Sequence, residues 1–511
     1  MREPASRRLS ADRVFLWSLL LTTVLRALLA AVVPLTGDEA YFVLWGSHPA
    51  GGYYDHTPMA GWWLAGVLAL GHGEWLVRVP ALLTVVGVAL LLRRAVAQWD
   101  AEKAGWIGAL YLWSPHSVAN FFTTTDTPLL LFAVLSMYGL CRALRSDRWW
   151  EYLLAGGWLG LAFLSKYFAV LLGAGVAVFL LGFAGRRRWR GLGLVLLGVM
   201  PSALQNIAWN RENGWVNILF NLYNRTGDAG FEPLNVAVYA GVVLFPLGPL
   251  AWALARGRVV GRLSWREALE GCGACDGRVY AVLAAVPIVL LLGVSLLKPV
   301  GLHWPLAFFP GVFAALACFF SAEALRRLLR PMVVYGSFFV ALGLLAMALP
   351  VELLCKHRSY DSIVLGTHPQ EVLAAMEPLR EGRGLATPSY AKSALLAFHA
   401  REDTRVLGIG SHHGRQNDLL ADFRELEGCG LVVLCDRPSR VQATQRWFAR
   451  SEVKEIAVRG AVYFVVVGDG FRYEAYREEV LAEVARRFYQ TPEWLARGSP
   501  PSFFLKRYGL E

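Results

Sequence analysis

The run VFLWSLLLTTVLRALLAAVVPL (residues 14–35), followed at once by Gly37-Asp38-Glu39-Ala40-Tyr41, decides the fold. As a helix it is long enough to cross a hydrocarbon core of about 30 Å. It is too long for the apolar region of a cleavable signal and lacks a small-residue cleavage site, so it reads as a first span. A polar, acidic and aromatic loop hangs on it, continuing through Gly52-Tyr53-Tyr54-Asp55-His56-Thr57-Pro58-Met59. Lipid does not solvate carboxylates, so acids crowded beside a span line a wet site or lie just outside the bilayer. This loop is the first place to look for chemistry.

The rest of the chain repeats the pattern. Of 511 residues 56% are hydrophobic and 17% charged, with a mean hydropathy of +0.42, which excludes an ordinary soluble protein. Apolar runs recur at about 14–35, 79–96, 104–122, 127–144, 152–165, 167–184, 191–209, 235–255, 279–297, 304–320 and 332–350. Lys and Arg in short loops stay cytoplasmic. They collect in alternate loops: Arg7, Arg8 and Arg13; Arg93, Arg94 and Lys103; Arg142, Arg145 and Arg148; Arg186 to Arg190; Arg256 to Arg266; and Arg326 to Arg330. The opposite loops hold only Arg78, Lys166, Arg211, Arg225 and Lys298. The amino terminus is therefore expected in the cytoplasm, and an odd number of spans places the carboxyl-terminal region outside.

The formal charge of +11 does not point to nucleic acid. Residues 351–511 carry 22 Lys and Arg against 21 Asp and Glu, so the excess belongs to the membrane part, where anionic lipid headgroups are its natural partner. Beyond Val351 the long apolar runs stop. Arg405 to Gly410, Leu431 to Leu434 and Ala461 to Val467 read as strands, and Pro369 to Leu379, Ser439 to Ser451 and Tyr473 to Phe488 as amphipathic helices. The expected architecture is a polytopic α-helical membrane domain over 1–350, with about 11 or more spans, and an outer α/β domain over 351–511.

Four carboxylates, Asp38, Glu39, Asp55 and Asp126, fall on short outer segments beside the first four spans, and their shared depth suggests one cavity. The alternative for Asp38 and Asp126 is helix capping, since Thr125-Asp126-Thr127-Pro128 has the look of a helix start. The outer cations Lys166, Lys298 and Arg225 are either interfacial anchors or donors to the phosphate of an anionic lipid substrate, with His56 and His303 as further donors. Cys272-Gly-Ala-Cys275 has metal-ligand spacing but no second pair or histidines in its loop, so no metal site is assigned. Cys429 and Cys435 are candidates for oxidation in the outer domain. The turn Gly408-Ile-Gly410-Ser411-His412-His413-Gly414 lacks a full dinucleotide fingerprint and reads as a glycine turn rather than a ligand loop.

Five motifs in order carry a resemblance: Gly37 to Tyr41, Tyr53 to Met59, Thr124-Thr125-Asp126-Thr127-Pro128-Leu129, Leu164-Ser165-Lys166-Tyr167, and Lys298 through His303-Trp304-Pro305. Over residues 14–350 the chain resembles the bacterial branch of the polyprenyl-phosphate-sugar glycosyltransferases of the GT-C fold. That group includes the family 39 dolichyl-phosphate-mannose protein mannosyltransferases, and the chain is also similar to the aminoarabinose lipid A transferases. The resemblance implies transfer of a sugar from an undecaprenyl-phosphate donor to lipid A, lipopolysaccharide or another lipid or glycan acceptor on the periplasmic face of the inner membrane. It implies Asp38 as catalytic base with Glu39 beside it, and Asp126 as the acid that orients the acceptor or supports the base. His56 stands where a lysine is common and Thr57 replaces a proline, which shifts donor-phosphate binding towards Lys166 and Lys298. Tyr41, Tyr54, Asp55 and Trp304 are expected to line the substrate cavity. Inversion of the anomeric carbon is implied by resemblance; a retaining double displacement depends on the carboxylate separation. No cofactor is firmly implied, and neither metal dependence nor oligomeric state is fixed. A protein O-mannosyltransferase is the nearest alternative, and a lipid or polyprenyl-linked flippase is the alternative of another class, although no inverted repeat or pair of broken spans supports it.

Overall fold

A computed structural model describes residues 5–224, 230–255, 276–410, 415–435, 437–496 and 500–511 of the chain. The chain divides into two compact units: residues 1–32, 75–205 and 229–346 form a membrane unit, and residues 33–74, 206–228 and 347–511 form a second unit.

The membrane unit is helical. Among the described residues of the whole chain, six helices are long and apolar enough to span a bilayer: Ser10–Val32, Glu74–Val96, Asp126–Ser146, Gly185–Glu212, Gly277–Ser295 and Ala322–Ala348. Shorter apolar helices include Ala169–Phe183, Leu234–Leu244 and Leu306–Phe319. Leu16, Trp17, Leu20 and Val24 on the first helix, and Val334, Phe338 and Leu342 on the last, point outward. Such apolar faces suit lipid and not water, and the chain is a multi-pass, mostly helical membrane protein.

Lipid tails are as apolar as leucine, so these helices gain little from hiding apolar surface and rely on close packing. Glycine supplies it. A Cβ on Gly156 would lie 2.1 Å from the Val195 carbonyl oxygen, and one on Gly198 would lie 2.2 Å from that of Leu153, so helices Trp149–Ser165 and Arg188–Glu212 meet backbone to backbone. A Cβ on Gly105 would lie 2.6 Å from the Ala11 carbonyl oxygen, so the first helix sits tightly on Ala101–Leu112. Two buried arginines bond to groups inside the unit. Arg78 donates to the Ala30 carbonyl at 2.8 Å, and Arg26 donates to Thr23 Oγ1 at 3.1 Å and to the Ser117 carbonyl at 3.4 Å.

The second unit is built on a five-stranded sheet in the order β2-β1-β3-β5-β4. Its strands are β1 (Gly384–Thr387), β2 (Thr404–Val406), β3 (Leu431–Cys435), β4 (Phe448–Val458) and β5 (Ala461–Phe471). β1 pairs in parallel with β2 and β3, whereas β5 runs antiparallel to both β3 and β4. Every residue of β3 is buried, as an unbroken apolar run in a central strand requires. The β4–β5 hairpin turns on Arg459 and Gly460, both at positive φ, which matches the twist of the flanking strands.

Two expectations for this region need correction. The helix expected over Ser439 to Ser451 stops at Gln445, and β4 begins at Phe448, because this stretch pairs along its length with the apolar strand β5. The strand expected over Arg405 to Gly410 ends at Val406, because Gly408 and Gly410 take positive φ and turn the backbone out of the sheet.

The same unit contains helix Gly37–Ser47, the start of the acidic loop. It packs against helix Tyr390–Ala400, where a Cβ on Gly37 would come within 2.9 Å of Ala391 Cβ. It also packs against Met59–Leu68, where Gly46 meets Leu64 at 2.8 Å. Small residues at both crossings let the helix sit close to its neighbours.

Candidate active site

In the second unit, Thr36 caps helix Gly37–Ser47 in a reciprocal box with Glu39. The Thr36 hydroxyl accepts from the Glu39 N–H at 3.2 Å, while Glu39 Oε2 accepts from the Thr36 N–H and hydroxyl at 3.1 Å. Glu39 is fully buried and engaged in holding the helix start. Asp38, one residue earlier, is exposed and has no hydrogen-bond partner among the described residues. Desolvation by surrounding protein, and then the charge of Glu39, raise its carboxyl above the ordinary value of 3.8. A carboxylate set on the first turn of a helix, left unpaired and made more basic, has the properties of a proton acceptor. Tyr390 lies within electrostatic reach of Asp38 and Asp55, and burial first and those charges second push its phenol up to about 12.

The Tyr53 to Pro58 segment is held by backbone contacts. Tyr54 N–H donates to Gln416 Oε1 at 2.9 Å, and the Gln416 N–H donates to the Tyr41 hydroxyl at 2.8 Å. The Tyr41 hydroxyl faces Asp55 Oδ1 at 3.4 Å. Asn217 donates to the Tyr53 carbonyl at 2.8 Å and Asn221 to the Asp55 carbonyl at 3.2 Å. Tyr53 stacks on Trp45 at 4.6 Å, and the His56 ring lies 5.6 Å from the same indole. The structure therefore brings Asp38, Glu39, Tyr41, Tyr54, Asp55 and His56 together in this unit, with Tyr390 and Gln416 added.

In the membrane unit, Asp126 begins helix Asp126–Ser146, and its side chain does not cap. Instead both its oxygens accept from Lys166 Nζ, at 2.8 and 2.9 Å, with each side chain 7% exposed. Lys166 Nζ also lies 5.0 Å over the Phe168 ring, and Phe168 meets Trp304 edge-on at 4.7 Å. Asp126, Lys166 and Trp304 thus form one cluster. Lys298 is half-buried and His303 exposed on the turn that follows helix Asp276–Ser295.

Arg225, Cys272, Cys275, His412 and His413 lie outside the described residues. Cys429 and Cys435 form no disulfide, the first being exposed and the second buried. Among the described residues no group of three or more His, Cys, Asp or Glu side chains is placed to hold a metal ion. Gln416, Asn217 and Tyr390 escape sequence reasoning because no local pattern marks them. Arg26 had a signal, a lone charge inside the first span.

The model of the dolichyl-phosphate-mannose-protein mannosyltransferase family matches residues 55–209. In three dimensions the chain is similar to ArnT from Cupriavidus metallidurans bound to undecaprenyl phosphate, with a TM-score of 0.61 and 16% identity over 88% of this chain and 97% of that one. The chain shares the fold of that ArnT. The apo state of the same ArnT gives the same TM-score and coverage. By sequence the chain is similar to the lipid A galacturonosyltransferase RgtD of Rhizobium johnstonii, 27% identical over 274 residues, which are 50% of this chain and 54% of RgtD. The chain thus spans about half the length of that curated relative. The resemblance to GT-C enzymes read from the five motifs is borne out.

Proposed function

We propose that this protein transfers a sugar from an undecaprenyl-phosphate-linked donor to lipid A or a related envelope acceptor, on the periplasmic face of a bacterial inner membrane. The observation that carries the reading is the Asp38 carboxylate, unpaired among the described residues and with raised basicity, on a helix whose other first-turn acid is committed to capping. The family match, the shared fold with an enzyme crystallised on undecaprenyl phosphate, and the likeness to a lipid A glycosyltransferase support it.

In the proposed reaction Asp38 takes the proton of the acceptor hydroxyl as its oxygen bonds to the anomeric carbon. The bond from that carbon to the donor's phosphate oxygen breaks, and its electron pair leaves with the lipid phosphate. A single displacement of this kind inverts the anomeric centre. Lys298, with Arg225, His56 and His303, stabilises charge on the leaving phosphate, and Lys166 does so while held by Asp126. Glu39 fixes the helix on which Asp38 rides, and Tyr41, Tyr54, Asp55 and Trp304 line the substrate path. The amino terminus is cytoplasmic and residues 351–511 are periplasmic.

The test is transfer from a panel of undecaprenyl-phosphate sugars to lipid A by the purified full chain in nanodiscs, read by mass spectrometry. Product formation by the parent, with at least about a 100-fold loss in Asp38→Asn, is expected. Absence of product with every donor, alongside transbilayer movement of the lipid, would make the protein a flippase.

A further inference from the structure

The last span runs from a basic end, Arg326, Arg327 and Arg330, to Ala348, and the chain leaves it through Leu349 and Pro350 into a single helical turn, Val351–Leu354. A hydrocarbon core of about 30 Å takes up about 20 helical residues. Counted from Met332, just past those cations, they end near Val351. The residues that follow therefore emerge at the headgroup layer.

Along the span, Val334, Phe338, Leu342 and Leu345 form an exposed stripe at every third or fourth residue. Further along the chain Leu349, Leu353 and Leu354 are exposed in their turn, Leu353 by 67%. Leucines scattered singly are ordinary on a water-facing surface, whereas three in so short a stretch, following a lipid-facing stripe, are not. A protein partner fits poorly, because three leucines cover far less than the roughly 800 Å² per side that a stable interface buries.

The neighbouring charges narrow the kind of lipid. Lys356 and Arg358 are exposed and have no ion-pair or hydrogen-bond partner among the described residues. His357 between them is also exposed, and its Nδ1 accepts from the Ser359 N–H at 3.2 Å. The acids close by are already answered. Arg459, on the β4–β5 turn, donates to Glu352 at 3.0 Å and to Glu371 at 2.9 Å, and Lys392 donates to Asp361 at 3.1 Å. The Tyr360 hydroxyl donates to the Arg459 carbonyl at 2.7 Å, so the segment is fixed to the hairpin and is no loose tether. Two unpaired cations beside leucines at the headgroup layer favour anionic lipid.

We propose that residues 349–358 are an interfacial foot, which sets Leu349, Leu353 and Leu354 into the acyl edge of the bilayer and binds anionic phospholipid headgroups through Lys356 and Arg358. Through Glu352, Tyr360 and Arg459 the lipid contact reaches the β4–β5 turn. Lipid binding here requires a chain that crosses the membrane and no particular reaction, so it stands apart from the proposed transfer.

The test places a nitroxide at Leu353→Cys in the otherwise cysteine-free full chain, held in nanodiscs of phosphatidylcholine alone or mixed with phosphatidylglycerol. Collision of the label with oxygen, which concentrates in lipid, is compared with collision with a water-soluble nickel chelate. Oxygen should dominate, and more strongly in the mixed discs. Lys356→Gln with Arg358→Gln should abolish the added effect of phosphatidylglycerol, lowering the ratio of immersed to wet label by about fivefold for each charge. The thermal midpoint of that double variant should match the parent, since neither cation has a partner to lose. A label reached mainly by the chelate would put the leucines in water, and a label shielded from both reagents would put protein over them; either result overturns the proposal. Oxygen dominance unchanged by phosphatidylglycerol and by both substitutions would overturn the binding of anionic headgroups.

Discussion

The Lys166 ammonium donates to both oxygens of Asp126, at 2.8 and 2.9 Å, in surroundings that leave each side chain 7% exposed. Removing one partner of a buried pair strands the other charge. Asp126→Asn and Lys166→Met should therefore each destabilise the protein by about 3–5 kcal/mol, whereas Asp126→Leu with Lys166→Met should recover most of the loss. Thermal unfolding of the three variants in nanodiscs measures the coupling. Additive losses would mean that the pair is not a unit.

In the proposed reaction the half-buried Lys298 is the second lysine assigned to the donor phosphate. Loss of one charge-assisted contact costs about 1.5–3 kcal/mol, so Lys298→Met should weaken binding of undecaprenyl phosphate roughly 10- to 150-fold. Unfolding should change little. Titration with the carrier phosphate checks the first outcome and calorimetry the second.

Asp38 links activity to pH and stability to the same group. Its folded carboxyl titrates above 3.8 because desolvation by the surrounding protein, and then the charge of Glu39, oppose ionisation, so the acid limb of the transfer rate should lie above that value. An acid with a raised folded value favours folding below the unfolded value and loses that favour as pH rises through the folded value. Ionised Asp38 is thus a standing cost at neutral pH. Asp38→Asn should be inactive yet more stable than the parent at pH 7, with the difference vanishing below about pH 3.8. A pH series of thermal midpoints, run beside the rate profile, measures both.

The fold was legible where one physical signal dominates. Apolar length broken by a single charge, Arg26, marks the first helix, and the charge-free run Leu431 to Leu434 marks β3 within one residue. Helix Pro369–Arg380 follows from its amphipathic period and its proline at the first turn. Between Ser439 and Ser451 a helical period competes with pairing to β5, and pairing wins from Phe448, a contact between strands that no local window contains. The site shows the same limit. The Gly37 to Tyr41 and Tyr53 to Pro58 motifs announce themselves by crowding acids and aromatics into a membrane protein. Gln416, which lies 375 residues beyond Tyr41 and bonds to it, is an ordinary polar residue until the chain is folded.

Gln416 ties the acidic loop to the sheet-bearing part of the same unit. Its Oε1 is the acceptor for the buried Tyr54 N–H. Gln416→Leu removes that acceptor and should cost about 1–3 kcal/mol. It should also lower transfer by loosening Tyr54 and Asp55, while Gln416→Glu, which keeps an acceptor oxygen, should restore much of both. Equal behaviour of the Leu and Glu variants in unfolding and turnover would show that the contact does not position the loop.

The orientation of the chain rests on the alternation of cations among its loops, and two exposed serines test it. Ser47 ends the helix that carries Asp38, and Ser146 ends helix Asp126–Ser146 beside Arg142, Arg145 and Arg148. Retention of cationic loops in the cytoplasm puts the second position inside and the first outside. In a cysteine-free background, an impermeant thiol reagent applied to intact spheroplasts should label Ser47→Cys and should reach Ser146→Cys only after the membrane is opened. Labelling of both positions in intact cells, or of Ser146→Cys alone, would invert or break the topology and place Asp38 on the wrong side for a periplasmic acceptor.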